Sequence, residues 1–281
     1  MGQIEFHAVS NAPLFRKIAF GSWRTVGDPS VYGAIEIDVT KAKAFIEKYS
    51  SEVKLTYTHL VGASMAQVLR DWPEINGMIR LGKIYRREQV DIFFQVNVPG
   101  NGQGNEKIKN ANLAGAVVRN ASKLNVIQLA RELYEKAESL RQSKDNEYNR
   151  AVALFKHLPW CLSRYLLNIT SFFNYDLNLN LTSLGVPRDP FGSVMITNVG
   201  SLGIEQGWAP LVPYSRVPLL LTLGAIRDRA WVVDGKIEVR PILHIGITFD
   251  HRFMDGVHAS AMAKKFKEFF EQPERLLENT K

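Results

Sequence analysis

The segment Asp250–Gly256, which reads DHRFMDG, is the part of the sequence best suited to chemistry. It follows the strand-like run Ile242–Phe249 and precedes a segment with helical apolar spacing. A histidine held in a short turn at the end of a buried strand can reach a cleft. Because imidazole ionises near neutral pH, it can take a proton from a thiol or a hydroxyl group. The pattern therefore makes His251 a candidate general base, and the alternative is a histidine that only caps the strand end.

Neighbouring residues have predicted supporting roles. Asp255 lies four residues after His251 and is expected to pair with an arginine, which would fix the turn. Gly256 is expected to permit a tight backbone where the next helix begins. A metal site would combine His258 with His251 and Asp255, but their spacing matches no usual helix-borne zinc pattern. The sequence therefore predicts no metal.

Composition limits the function classes. The 281 residues are 46% hydrophobic, which is enough to bury a large core. Cys161 is the single cysteine, so no intramolecular disulfide forms, and a reducing compartment such as the cytoplasm is expected. Cys161 lies in an apolar stretch with no base nearby in sequence, so it is not expected to be a nucleophile.

The charge balance bears on partners. The net charge of +7 fits either a basic surface or a phosphate-bearing partner such as a nucleotide-tailed cofactor. Nucleic acid is not a predicted partner, because basic residues form no long run and no stacking motif lies among them. No uncharged apolar run reaches the ~18 residues of a membrane helix.

Hydrophobic periodicity places the elements around the segment. The pattern predicts a helix that Thr40 caps, and a hairpin at Asp234-Gly235. The other predicted helices are Thr58–Trp72, Ser122–Gln142 and Val257–Glu271, and the predicted strands are Gly33–Val39, Ile84–Val98 (broken at 86–89), Leu113–Arg119, Gly192–Val199, Val217–Ile226 and Ile242–Phe249. This mixture indicates one α/β sandwich domain. The loop Pro99–Asn105 mimics a phosphate loop but is interpreted as a turn, because no helix follows it directly.

Several separate motifs together resemble one known family. DHRFMDG resembles the DHRxxDG signature of the catalytic domain of dihydrolipoamide acyltransferases, the core components of 2-oxoacid dehydrogenase complexes, which are related in fold to chloramphenicol acetyltransferase. Met195–Gly200 resembles the family's TISNLG strand. Further matches are Val217-Pro218, Leu223–Ile226, Leu113–Arg119 with the Ser122 helix, and Arg16-Lys17 followed by Asp38-Val39. The resemblance covers most of residues 12–280 and implies a two-layer α/β (α+β) sandwich with a mixed sheet.

The resemblance also implies roles for individual residues. His251 would deprotonate the attacking thiol of an acyl transfer that uses coenzyme A. Thr197 stands where the family commonly has serine and would stabilise the oxyanion of the tetrahedral intermediate, with Asn198 beside it. Asp255 would pair with Arg16. The family forms trimers, so His251 would face Thr197 of a neighbouring chain.

Three departures from the family affect these expectations. Within the 281 residues there is no lipoyl domain and no subunit-binding domain, so a lipoyl arm would come from another protein, or the acceptor is not lipoamide. Ser30–Tyr32 replaces the family's usual Pro-His. An apolar insertion at about 148–190 expands a short connection, and it could be an additional packed helix, a lid or channel wall, or a contact surface for a membrane or a partner.

Three functions remain open from sequence. The first is transfer of an acyl group between coenzyme A and a dihydrolipoamide-like thiol. The second is transfer to another acceptor, namely a carrier-protein thiol, an amine or a hydroxyl group. The third is a catalytically silent oligomeric scaffold, which the joint presence of His251, Asp255 and Thr197 argues against. The residues that contact coenzyme A are not identified.

Overall fold

The computed structural model describes residues 5–8, 28–98, 112–142 and 159–278. The strands are β1 (Phe6–Ala8), β2 (Ser30–Asp38), β3 (Gly77–Arg80), β4 (Lys83–Arg87), β5 (Ile92–Val98), β6 (Asn112–Val118), β7 (Val194–Asn198), β8 (Leu219–Leu223), β9 (Arg227–Val233) and β10 (Lys236–Asp250). The helices are α1 (Thr40–Lys48), α2 (Tyr57–Asp71), α3 (Val126–Arg141), α4 (Trp160–Ser171) and α5 (Gly256–Glu271).

The main sheet is mixed, as predicted. Its strand order is β2-β10-β8-β7-β5-β6, and β9 pairs with the first half of β10 through the predicted Asp234-Gly235 hairpin. The pairs β5–β7 and β7–β8 are parallel, and the other pairs are antiparallel. The second half of the long strand β10 therefore lies inside the sheet, between β2 and β8. Its C-terminal end leads directly into the turn that carries the candidate base.

One face of this sheet is packed against helices. Alternate residues of a strand point to opposite faces, and Phe94 of β5 and Ile196 of β7 enter a large core with α1, α2, α3 and α5. Gly62 lets α2 approach closely, because a Cβ there would lie 2.4 Å from the Cζ atom of Phe94. We call this surface the packed face.

The opposite surface, the open face, has a smaller apolar cluster. Phe93, Met195, Val217 and Leu220 form its buried part, and Phe191 packs against them. The chain that covers this face includes α4, a π-helical turn at Phe172–Asp176 and a 3-10 turn at Thr182–Leu184. None of the helices in the described ranges combines the length and hydrophobicity that crossing a bilayer requires.

Some predicted element boundaries are wrong, for local reasons. The predicted break within Ile84–Val98 is present, but the first strand continues to Arg87 and the chain turns at 88–90, so β4 and β5 lie in different sheets. Thr40 is the first residue of α1 and not its cap; its hydroxyl group donates to Asp38 Oδ1 at 2.5 Å. The strand predicted at Val217–Ile226 is confined to Leu219–Leu223. The Pro99–Asn105 loop lies outside the described residues.

Candidate active site

The turn that carries His251 is anchored at both ends. The backbone N–H of His251 donates to Pro29 O at 2.9 Å. The N–H groups of Phe253 and Met254 donate to Asp250 O at 2.9 and 3.0 Å. Both side chains are buried in the packed core, at 2% and 1% exposure. The turn therefore holds a half-buried histidine between two fixed elements, β10 and α5.

The imidazole ring is oriented by one backbone carbonyl. His251 Nδ1 lies 2.9 Å from Met254 O, and a carbonyl oxygen can only accept a hydrogen bond. Nδ1 therefore carries the proton of the neutral ring, and the lone pair is on Nε2. Phe249 lies edge-on to the ring, with centroids 6.4 Å apart. A neutral imidazole with a defined tautomer and a fixed plane is what a general base requires.

Sequence reasoning missed a positioning contact beside His251. Arg252 pairs with Asp250 through two side-chain hydrogen bonds, from Nε to Oδ1 at 3.1 Å and from the terminal nitrogen to Oδ2 at 2.8 Å. The Arg252 backbone N–H also donates to Asp250 Oδ1 at 2.9 Å. The available signal was the opposite charge of the two residues that flank His251. The Met254 carbonyl has no side-chain signal, so only the structure reveals it.

Asp255 caps α5. Its Oδ1 accepts from the backbone N–H groups of Val257 and His258, at 3.0 and 3.1 Å, and from His258 Nδ1 at 2.6 Å. The cap fixes the end of the His251 turn, which agrees with the expected purpose of Asp255. Its expected partner, Arg16, lies outside the described residues, so that pair stays a prediction.

Gly256 has no steric role that the structure reveals. It is the first residue of α5, its backbone is not left-handed, and a Cβ built there meets no heavy atom of the described residues within 4 Å. The tight backbone expected at this position therefore stays a prediction. Within the described ranges, no three histidine, cysteine, aspartate or glutamate side chains come together as metal ligands would.

Thr197 and Asn198 end β7 and point to opposite faces. Asn198 Nδ2 donates to Thr58 Oγ1 of α2 at 2.9 Å, so Asn198 faces the packed side. Its Oδ1 accepts from Ser201 N at 3.1 Å and holds the turn that follows. Thr197 is half-buried and faces the open side with Met195. Asn198 thus anchors the strand end from which Thr197 presents its hydroxyl group.

Thr197 and His251 of one chain are far apart. Strand register aligns Thr197 with Thr222 of β8, and Thr222 with Gly246 of β10. His251 follows Gly246 by five residues, a rise of about 17 Å, and two strand spacings of ~5 Å lie between β7 and β10. The side chains are therefore separated by roughly 20 Å within the chain, and they can act on one carbonyl group only if they come from different chains.

Comparison with known proteins identifies the family of this chain. The sequence model of the 2-oxoacid dehydrogenase acyltransferase (catalytic domain) family matches residues 21–149 and 191–278, which include Thr197 and His251. The chain belongs to this family. Neither matched stretch includes residues 150–190, and residues 159–190 of this segment cover the open face.

Individual relatives agree with this family, and solved structures agree with the fold. A dihydrolipoyllysine-residue succinyltransferase component of the 2-oxoglutarate dehydrogenase complex from Rickettsia felis is 27% identical over 252 residues, which are 87% of this chain and 49% of that protein. The chain spans about half the length of the curated relatives it matches. The cubic core of a pyruvate dehydrogenase multienzyme complex is similar in fold, with a TM-score of 0.63, 20% identity, and 96% and 94% of the two chains covered.

The expected relation to chloramphenicol acetyltransferase is also confirmed at the level of fold. A solved chloramphenicol acetyltransferase covers 95% of this chain and 100% of its own, with a TM-score of 0.52 and 15% identity. The mixed sheet with a layer of helices is therefore the architecture that the sequence motifs implied.

Proposed function

We propose that this chain transfers an acyl group between coenzyme A and a dihydrolipoyl thiol. The observation that carries the proposal is the orientation of His251. Its Nδ1 is bonded to the Met254 carbonyl, which leaves Nε2 as the basic atom in a turn that the family model matches. Nε2 takes the proton of the attacking thiol, and the thiolate attacks the thioester carbonyl carbon.

The remaining steps require one hydrogen-bond donor and return of the proton. The carbonyl oxygen becomes an oxyanion, and the hydroxyl group of Thr197 donates to it; a donor of this kind contributes about 10²–10³ in rate. Collapse of the tetrahedral intermediate breaks the original C–S bond. The departing thiolate takes the proton from the His251 imidazolium, so the base is regenerated.

The separation of roughly 20 Å between the two side chains within one chain supports a site that lies between two chains. We propose a homotrimer in which His251 of one chain faces Thr197 of the next. Closed cyclic symmetry repeats the same contact at each interface. Coenzyme A is then a substrate, and the lipoyl group is supplied by a separate lipoyl-bearing protein or domain.

The test uses purified protein with succinyl-CoA or acetyl-CoA and dihydrolipoamide, and follows formation of the acylated dihydrolipoamide. His251→Ala is expected to lower kcat by about 10²–10⁴, the usual contribution of a positioned base, with an unchanged oligomer mass in light scattering. His7→Ala, which removes an exposed imidazole from strand β1 instead, is the control and retains wild-type turnover. Equal turnover of His251→Ala and His7→Ala would refute the mechanism.

The acceptor is tested in the same assay. Amines, hydroxyl compounds and a carrier-protein thiol replace dihydrolipoamide at equal concentration. The proposal expects transfer to the dihydrolipoyl thiol to be fastest. A faster reaction with any of the other acceptors reassigns the acceptor and leaves the role of His251 in place.

A further inference from the structure

A large cavity lies between the open face and the segment that covers it. Its volume is about 580 Å³, which is within the range of small-molecule binding sites. Strands β5, β6 and β7 form its floor. The end of α4 and the chain that follows form its opposite wall, through residues such as Leu167, Thr170, Asn174 and Tyr175.

The lining favours an uncharged apolar occupant. Phe93, Phe191 and Met195 supply apolar surface. Among the lining side chains in the described ranges, none is acidic, and the two basic ones are neutralised. Arg119 pairs with an aspartate at 2.9 Å, and Lys136 pairs with a glutamate at 2.8 Å. Because both positive charges are already paired with carboxylates, the cavity does not favour an anionic ligand.

The cavity lies beside the strand that carries the proposed oxyanion donor, although Thr197 itself is not among its lining residues. Phe93 pairs with Met195 in the parallel β5–β7 register, so the same register continued places Gln95 beside Thr197. Gln95 and Met195 both line the cavity. Gln95 pairs with Gly115 of β6. From Gly115 the cavity floor continues along the chain to Arg119, four residues further on, a distance of about 13 Å.

The geometry of the reaction indicates which group occupies this space. A thioester carbonyl carbon bears an oxygen, a sulfur and an acyl chain. The oxygen points to Thr197, and the sulfur and the attacking thiol must lie near His251 of the neighbouring chain. The acyl chain leaves in the remaining direction, along the open face of the chain that supplies Thr197.

We propose that this cavity receives the transferred acyl chain and selects a bulky apolar acyl group over a short dicarboxylic one. The inference rests on the proposed acyl transfer and adds the substrate class. The residues of the selecting wall lie between Leu167 and Pro190, a stretch that the family model does not match. The wall is therefore a feature of this chain and does not follow from family membership.

The experiment measures kcat/KM for acetyl-, butyryl-, hexanoyl-, octanoyl- and succinyl-CoA with the wild-type oligomer. Burial of each methylene group is expected to raise kcat/KM by up to about fourfold, so hexanoyl-CoA and octanoyl-CoA exceed acetyl-CoA and succinyl-CoA. Thr170→Phe fills the cavity from α4. It is expected to lower kcat/KM at least tenfold for octanoyl-CoA and less than twofold for acetyl-CoA.

Ile169→Phe is the matched control, because Ile169 is the adjacent residue on α4, is 53% exposed and does not line the cavity. Its chain-length profile is expected to equal that of the wild type. Should Thr170→Phe not fold, calorimetry on the wild type decides, with octanoyl-CoA expected to bind at least tenfold more tightly than acetyl-CoA.

The outcomes separate the two proposals. Turnover of acetyl-CoA with a flat profile, or a preference for succinyl-CoA, overturns the bulky acyl assignment and leaves the acyl transfer intact. An equal loss for all substrates in Thr170→Phe also overturns it. Absence of turnover with every acyl-CoA overturns the proposed function itself.

Discussion

The two faces of the main sheet are covered in different ways. On the packed face, four helices bury a large apolar core, and Gly62 brings α2 into direct contact with Phe94. On the open face, a small cluster around Phe93 and Met195 leaves a cavity of about 580 Å³. Strand alternation sends neighbouring residues to these two environments, so one sheet supplies both stability and a binding space.

Substitutions on the packed face should mainly affect folding, and substitutions on the open face should mainly affect chemistry. The family model matches the strands that form both faces, yet it does not match the segment that covers the open face. The packed face can therefore be interpreted as the common scaffold, and the open face as the surface on which this chain differs from its relatives.

The largest expected effect compares two adjacent phenylalanines. Phe94→Ala on the packed face is expected to lower the free energy of unfolding by about 3–5 kcal/mol, because the side chain is fully enclosed. Phe93→Ala on the open face is expected to cost less than half as much, because the residue lines the cavity. Urea unfolding of both variants measures the difference, and equal losses contradict the distinction between the faces.

The next effect is on rate alone. Thr197→Val keeps the side-chain volume but removes the proposed oxyanion donor, so kcat is expected to fall by about 10²–10³. Thr197→Ser is the control and retains activity, since its hydroxyl group can still donate. Steady-state kinetics with thermal melts checks both parts. A loss of stability that matches the loss of rate would count against a catalytic role.

A smaller effect is the pH dependence of the packed face. Burial lowers the pKa of His59 from 6.5 to about 4, and its Nδ1 accepts from Thr56 N at 3.1 Å. The folded protein therefore favours the neutral ring. Stability is full above pH 6.5 and falls as the pH drops from 6.5 to about 4, because only the unfolded chain takes up the proton in this range. The free energy of unfolding is expected to fall by about 3 kcal/mol over this pH range.

Urea unfolding between pH 7 and pH 4 measures this loss. The matched variant is His59→Gln, which does not titrate in this range and whose side-chain oxygen can accept from the same N–H group. Its stability should fall less than that of the wild type over the same interval. Parallel curves for the two proteins would show that His59 does not contribute to the pH dependence.

The smallest effect concerns the turn itself. Asp255→Ala removes the cap of α5 and is expected to cost about 1 kcal/mol. Asp255→Asn keeps an acceptor oxygen for the Val257 and His258 N–H groups, so it should retain most of that stability. Thermal unfolding compares the two variants, and an equal cost in both would indicate that the charge of Asp255, not its cap, stabilises the turn.

The sequence predicted the features that lie within one continuous segment. The strand, the turn with His251 and the following helix could be predicted together, because alternation, a motif and helical spacing follow one another from Ile242 to Glu271. The predicted cap of α1 at Thr40 is wrong, because the cap position is held by Val39, whose side chain cannot cap, and the Thr40 N–H group donates to Asp38 Oδ1 instead.

Features that depend on distant segments could not be predicted in the same way. Gln95 and Thr197 become neighbours when the parallel register of β5 and β7 is continued by one residue. These strands are about a hundred residues apart in sequence, and no local pattern encodes their register. The cavity likewise depends on how α4 packs across the open face. The insertion could be recognised because it expands a short connection of the family, but its apolar composition left a packed helix, a lid or channel wall, and a contact surface for a membrane or partner open.

The proposed active site uses His251 from one chain and Thr197 from another. Mixing two inactive proteins, His251→Ala and Thr197→Val, with exchange of subunits through mild unfolding and refolding tests this directly. We expect activity to return, because roughly a quarter of the interfaces in an equal mixture combine an intact base with an intact hydroxyl group. A mixture that stays as inactive as its two components would contradict a site shared between chains.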